Sequence, residues 1–361
     1  VEELIESTKV FAKREIPKYQ SEHFYNSIPK QLWRSMAEQG LTGINISESF
    51  GGIGVTPSIS AEIYREISRV DLGPAIFLSV HSMVAGIIER FGSESQKSYY
   101  LPKLASGEYL GAFALTEPGA GSDAASLKTK AEKKEGYYVL NGEKCYITSG
   151  GFADVYVVFA KVDDKISAFL VDGNAKGLTI SSPEKKMGCE LSPIASLSFE
   201  NLQTKNKLEG DGYKIALSGL AGGRINIAAC ANGVSECAIE LSKAFLSERS
   251  QFGEKLKNFQ GLQFIFADMV MLLEASKAIT EKAARELTEK GDSRLLASAS
   301  KCFATDSCMK ITTDAVQLLG GAGYIKEYHV EKLMRDAKML QIVEGTNQIQ
   351  RMLIARNAFA S

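Results

Sequence analysis

The 361-residue chain changes its hydrophobic period twice. Helical period comes first, strand period follows, and helical period returns to the end. Strands and helices never alternate, which excludes a parallel sheet built from crossover units. Residues 1–108 read as an N-terminal helical domain. Its opening, VEELIESTKVFAKREIPK, is a helix already under way. Pro29 opens an amphipathic stretch that stops at Gly40, another runs from Pro57 to about Val70, and SVHSMVAGIIERFG ends at Gly92. Ser93 offers the next N-cap, and that helix ends near Gly107. Residues 109–211 hold YLGAFALT, GYYVLNGEKCYIT, DVYVVFAKV, KISAFLV and SLSFEN, which are short and rich in β-branched and aromatic residues. They read as a middle antiparallel β domain, a small barrel, with Asn141-Gly142 as a hairpin turn. Residues 212–361 hold long helical segments at Tyr213–Leu246, Phe259–Lys290 and Ser293–Leu319. These predict a C-terminal antiparallel helical bundle. The expected fold is α+β and multi-domain.

Composition narrows the function. The chain is 45% apolar and 24% charged with a formal net charge of −1, so no basic excess points to nucleic acid. No apolar run approaches 18 residues, and no membrane span is expected. The six cysteines form no C-x-x-C pair and have no histidine near them in sequence. That argues against a disulfide framework or a metal site and for a reducing compartment. His23, His81 and His329 sit in no triad or metal motif and read as structural. The N-terminal residues have neither a secretion signal's apolar core nor a transit composition. A bacterial cytoplasm is the expected location, with the mitochondrial matrix the alternative if a leader has been removed.

The most chemical stretch is Gln341-Ile342-Val343-Glu344-Gly345-Thr346. Its lone carboxylate stands among Met339, Leu340, Ile342 and Val343. Lost hydration favours the protonated form and raises the pKa from about 4.3, which suits a base that takes a proton from carbon. A Glu welcomed by a helix N-terminus reads the same in sequence. Gly119-Ala120-Gly121-Ser122-Asp123-Ala124 matches the loose dinucleotide fingerprint G-x-G-x-x-A. A strand pattern follows it where the fingerprint needs a helix, so a nicotinamide site is not expected. The loop Thr116–Asp123 still lets backbone approach a flat or phosphorylated ligand, or simply turns between strands. Gly320-Gly321-Ala322-Gly323 interrupts a helix after Gln317, and Gly222-Gly223 interrupts the helix beginning near Tyr213. Arg224 beside that second pair reads as a phosphate or ribose contact, or as a surface charge.

FALTEPGAGSDAASLKTKA, YITSGG, GGRINIA, ERSQFGEKLKNFQGLQFIFADM, QLLGGAGYIKEYHVEKLMRDAK and VEGTNQIQRMLIAR together resemble the acyl-CoA dehydrogenase family, in its order and spacing. The resemblance covers essentially the whole chain. It implies non-covalent FAD between the β domain and the bundle, and a homotetramer in which a neighbour helps hold each flavin. It implies that Phe113, Leu115, Thr116, Gly121 and Ser122 lie against the flavin, with Tyr146, Ile147 and Thr148 on the other side. Arg249, Gln251, Phe252 and Gln260 would reach the adjacent chain's FAD, as would Gln317, Gly320 and Gly321. Thr346 and Gln348 would meet the flavin's own phosphates. Ser122, Ala221, Arg224, Gly345 and Arg356 fall at acyl-CoA-contacting positions.

Glu344 falls on the family's usual base position. Some relatives carry the base on the long helix just before the arginine, where this chain has Gly223. The implied chemistry is abstraction of the α proton by Glu344, hydride transfer from the β carbon to flavin N5, and stabilisation of the enolate by the Glu344 N–H and a ribityl hydroxyl. Electrons would pass to an electron-transfer flavoprotein. Tyr146 replaces a tryptophan common in relatives, and Ala221 replaces an acidic residue near the CoA. GLAGGRINIA most resembles the isobutyryl-CoA branch, which favours short or short-branched acyl chains. Two other readings are an acyl-CoA oxidase, which uses oxygen, and a non-catalytic scaffold. The chain is compact beside oxidases that carry an extra C-terminal domain. The intact Glu344 and the near-zero net charge stand against the scaffold.

Overall fold

A computed structural model describes residues 2–20, 24–291 and 293–360, so His23 lies outside the described residues. Five helices come first: α1 (Glu2–Glu15), α2 (Lys30–Glu38), α3 (Pro57–Ser68), α4 (Leu72–Phe91) and α5 (Glu94–Ala105). Local chemistry sets their ends. Asp71 accepts the Gly73 N–H at the start of α4. Ser93 and Gln96 form a reciprocal capping box on α5.

α4 corrects the expectation that no run is long and apolar enough to cross a membrane. Its 20 residues pass that test, yet 83% of the apolar window is buried inside the protein. A helix apolar on all sides is here a core helix. His81 sits at its centre with no exposed surface. Its Nδ1 accepts the Gly111 N–H at 3.1 Å, so Nε2 carries the proton and faces the Thr42 and Leu104 carbonyls at 3.0 and 3.2 Å. Burial pushes its pKa down to about 4.

The middle strands are β1 (Gly111–Ala114), β2 (Lys130–Lys134), β3 (Tyr137–Thr148), β4 (Val155–Val162), β5 (Lys165–Asp172), β6 (Leu178–Ile180) and β7 (Ile194–Thr204). They form one sheet in the order β1-β4-β2-β3-β7-β6, with β5 on β4. Most pairs are antiparallel, but β1 runs parallel to β4, and β2 meets β4 parallel at Lys130 and Lys161. Alternation identifies a strand without naming its neighbour, so this pairing was not visible in the sequence.

Asn141-Gly142 is not a hairpin turn. Both residues lie inside β3, where the register against β7 shifts between Leu140 and Gly142. Gly142 has φ 143°, and a Cβ there would come 2.7 Å from Thr129 Oγ1. The glycine therefore marks a bulge pressed against a neighbouring strand. The tight hairpins fall at Glu135-Gly136 and at Asp163-Asp164, whose φ values of 47° and 62° are those of a type I′ turn.

The chain then forms α6 (Gly212–Glu248), a hairpin of β8 (Ser250–Gln251) and β9 (Glu254–Lys255), α7 (Gln260–Lys290), α8 (Arg294–Leu319), α9 (Val330–Leu340) and α10 (Asn347–Ala360). α8 packs along α6 and α7 and carries α9 and α10, while α6 also packs on α3 and α4. Gly320–Tyr324 ends α8 in a 3-10 turn. Gly222-Gly223, by contrast, does not interrupt α6, which runs unbroken through the pair. Tertiary packing overrides the glycine penalty of about 1 kcal/mol each.

A buried ionic cluster joins the three regions. Lys332 on α9 pairs with Asp71 at 3.1 Å and with Asp336 at 2.6 Å, and reaches Glu190 of the β domain at 3.5 Å. Arg335 pairs with Glu190 at 2.6 Å, and Asp336 accepts the Cys189 N–H at 2.6 Å.

Candidate active site

Glu344 stands in the turn between α9 and α10 with φ 57°, a left-handed conformation uncommon outside glycine. Gly345 follows at φ 88°. The residue as a whole is only partly covered, but its Oε2 is wholly out of solvent and without a hydrogen-bond donor among the described residues. Burial pushes the Glu344 pKa up to about 7, against the opposing pull of Arg224 and Lys301. The carboxyl rests against Gly223 of α6, where a Cβ would come within 2.8 Å of its carbon. Gly223 is thus glycine because the acid occupies the space a side chain would need. A second acid at position 223 could not share that space.

Behind the turn lies a set of donors, of which Gln350 and Lys301 carry no sequence signal. Gln350 Nε2 donates to the carbonyls of Glu344 and Gly345 at 3.0 and 2.9 Å. Lys301 Nζ donates to Gly345 O at 3.0 Å and to Asn347 Oδ1 at 2.8 Å. Arg224 Nε donates to Glu344 O at 3.3 Å. Arg224 is therefore no surface charge: it is buried, and its Nε hydrogen bond goes to the carbonyl of the turn. Burial pushes Lys301 down to about 8. The N–H groups of Glu344 and Gly345 have no acceptor among the described residues.

The loop after β1 is braced from beneath. Lys144, with no exposed surface, donates to Leu115 O at 3.0 Å and pairs with Glu117 at 2.7 Å. Glu117 also accepts the N–H groups of Lys128 and Thr129, and the Cys145 N–H reaches Thr116 O at 2.9 Å. These bonds bring Leu115 and Thr116 beside the end of β3, which carries Tyr146, Ile147 and Thr148. Tyr146, at φ 57°, leaves 67% of its surface open. Ile147 is buried. Phe113 packs on Phe159 at 5.1 Å between ring centres. Gly121 and Ser122 are exposed, and nothing lies within 4 Å of a Cβ at Gly119 or Gly121. An open aromatic face at the end of β3, exposed glycine backbone in the loop after β1, and N–H groups without acceptors beside a dry carboxyl fit a flat, partly anionic cofactor.

The remaining predicted residues separate into groups. Thr346 receives the Ile349 N–H at 3.4 Å at the start of α10, and Thr346 and Gln348 border a cleft of ≈ 420 Å³. Ala221 lies on α6 one turn before Arg224, and Arg356 lies exposed toward the far end of α10. Arg249, Gln251, Phe252 and Gln260 are all exposed, Phe252 at 97%. Arg249 lies 25 residues along α6 from Arg224, about 37 Å at the helical rise. Gln317, Gly320 and Gly321 are also exposed and occupy the same far end, where Tyr328 meets Phe245 edge to face at 6.0 Å between ring centres. The fold does not bring these seven to Glu344. A larger cavity of ≈ 530 Å³ between α7, α8 and α10 contains none of the predicted residues.

Comparison with known proteins bears on this arrangement. Family models for the acyl-CoA dehydrogenase N-terminal, middle and C-terminal domains match residues 1–108, 112–202 and 210–359. An acyl-CoA dehydrogenase of Bacillus subtilis (strain 168) is 44% identical, over 96% of this chain and 94% of its own length. The mitochondrial isobutyryl-CoA dehydrogenase of Bos taurus is 39% identical, over 96% of this chain and 86% of its own length. The solved butyryl-CoA dehydrogenase from Megasphaera elsdenii superposes with a TM-score of 0.96 at 36% identity, covering 99% of this chain and 97% of that one. The chain belongs to the acyl-CoA dehydrogenase family and is a flavoprotein oxidoreductase.

Proposed function

We propose that the chain removes one hydrogen from each of the α and β carbons of a short or short-branched acyl-CoA, giving the trans-2-enoyl-CoA. The observation that carries this reading is the Glu344 carboxyl: dry, unpaired at Oε2 and poised near pH 7. A base with that pKa is ionised in useful amount at neutral pH and strong enough to take a proton from carbon next to a thioester. The unpaired Glu344 N–H beside it suits the carbonyl oxygen on which enolate charge develops. Gly345 serves the turn itself: its φ is 88°, and a Cβ there would come 2.7 Å from Gln350 Nε2. Non-covalent FAD, when bound, supplies the redox half of the reaction by accepting a hydride from the β carbon. Leu115, Thr116, Tyr146 and Thr148 would hold its ring, and Thr346 and Gln348 its phosphates.

The distant, exposed set at Arg249–Phe252, Gln260, Gln317 and Gly320-Gly321 supports a further part of the reading. One chain keeps these residues well away from its own base, Arg249 about 37 Å along α6 from Arg224 and Gln317 about 24 Å along α8 from Lys301, so they would serve the flavin of a neighbouring chain in a homotetramer. An electron-transfer flavoprotein would receive the electrons. The test begins with colour. Purified protein should be yellow, and anaerobic butyryl- or isobutyryl-CoA should bleach it. Glu344→Gln should stay yellow and lose about 10²- to 10⁴-fold in turnover; near-normal bleaching would end the assignment. Rapid return of colour with oxygen would instead mark an oxidase, and light scattering reads the oligomer.

A further inference from the structure

The side chains of Lys144 and Glu117 are both buried, yet the pair takes no part in proton transfer. A buried ion pair is weak evidence for stability, since apolar side chains of similar volume often do as well in its place. Its partners here are local. Glu117 accepts the N–H groups of Lys128 and Thr129, which ties the carboxylate to the start of β2. Burial pushes Lys144 down to about 8. Burial also works against the Glu117 charge, but the bonds from Lys144, Thr129 and Lys128 hold its pKa below the ordinary value. Both groups are therefore charged at pH 7.

Lys144 has a second acceptor, the Leu115 carbonyl at 3.0 Å. That carbonyl shares its peptide with the Thr116 N–H. In a trans peptide the two point opposite ways, so a carbonyl held toward Lys144 turns the Thr116 N–H away from it. This N–H has no acceptor among the described residues. The next carbonyl, that of Thr116, is held by the Cys145 N–H at 2.9 Å, so the backbone is fixed on both sides of Thr116.

We propose that Lys144 is a positioning residue that sets the reduction potential of the flavin: its ammonium, held on the Leu115 carbonyl, fixes and polarises the Thr116 N–H as a donor to the ring. This rests on the reading of Leu115 and Thr116 as residues that hold the ring. Reduction adds negative charge to the ring. A donor already in place, strengthened by the cation behind it, therefore binds the reduced ring more tightly than the oxidised one.

Lys144→Met removes the ammonium, and Lys144→Met with Glu117→Gln removes both charges while leaving an oxygen for the Lys128 and Thr129 N–H groups. The FAD-loaded variants are read by melting temperature, by flavin content and affinity, and by the midpoint potential of the bound flavin without substrate. A folded, flavin-loaded variant should shift the reduction equilibrium about tenfold toward the oxidised ring, ~30 mV for a two-electron couple. By linkage the potential moves only if the two redox forms lose affinity unequally; loss of a mere brace weakens both alike. An unmoved potential in a folded, yellow variant overturns the proposal. Failure of both variants to fold or to hold flavin also overturns it, because a structural role then suffices. The wild type separates the two readings. If it holds no flavin, or if acyl-CoA does not bleach it, the proposed function fails and this proposal loses its footing. If it is yellow and bleaches while the variants keep its potential, only the role of Lys144 falls.

Discussion

A carboxylate that takes a proton from carbon must be dry and unpaired, and at Glu344 neighbours without side chains make room for it. Gly223→Ala would put a methyl group 2.8 Å from the carboxyl carbon. The acid would have to move, so kcat should fall by about tenfold or more while the flavin stays bound; stopped-flow bleaching measures it. The raised pKa has two consequences of definite sign. Activity needs the ionised acid, so kcat/KM should climb with pH and level off above about 7. Stability runs the other way. The folded pKa lies above the ordinary 4.5, so the contribution is intact below 4.5 and is lost as pH rises toward 7. Glu344→Gln removes that loss, and its melting temperature should exceed wild type at pH 8 but not at pH 4. Glu344 was legible in the sequence because its neighbours along the chain are apolar. Lys301 and Gln350 were not, because a lysine or glutamine on a helix reads as solvated until the fold buries it. Arg224 was legible as a residue of interest, but its inward direction was decided by the turn it meets.

At the scale of elements, caps and periods were readable because they are local. Ser93 starts α5 as its sequence suggests, while α4 begins at Leu72 behind the Asp71 cap, earlier than its apolar stretch from Ser79 indicates, and the long helices of the bundle lie where the period placed them. Asn141-Gly142 misled because the same dipeptide serves a turn or a bulge, and Thr129 across the sheet selects the bulge. α4 was underrated because polar residues such as His81 break its apolar run. His81 also makes a testable contribution. Its folded pKa of about 4 lies below the ordinary 6.5, so its contribution is complete above 6.5 and is lost as pH falls toward 4. The melting temperature should fall over that window. His81→Gln, which cannot titrate, should flatten the slope even if it lowers the whole curve.

Across the whole molecule, the ionic cluster at Lys332 ties α4, the β domain and α9 together. Lys332→Met would leave Asp71 and Asp336 buried without their cation, and breaking a buried pair this way costs about 3–5 kcal/mol. Urea denaturation with the flavin bound should show a loss of that size; a change under about 1 kcal/mol would mean that the cluster adds little. What the sequence determined by itself was carried by near neighbours: the order of helical, strand and helical regions, the strands other than the short β6, and an acid flanked by apolar residues. The tertiary structure alone decided which strands run parallel, that Gly223 is a socket for Glu344, that Arg224 turns inward, and that seven expected cofactor contacts lie at the far end of the bundle. The physical reason is range. Period, capping and turn chemistry act over a few residues, whereas burial, like the fit of a carboxyl against a glycine 121 positions away in the chain, exists only once the elements have packed.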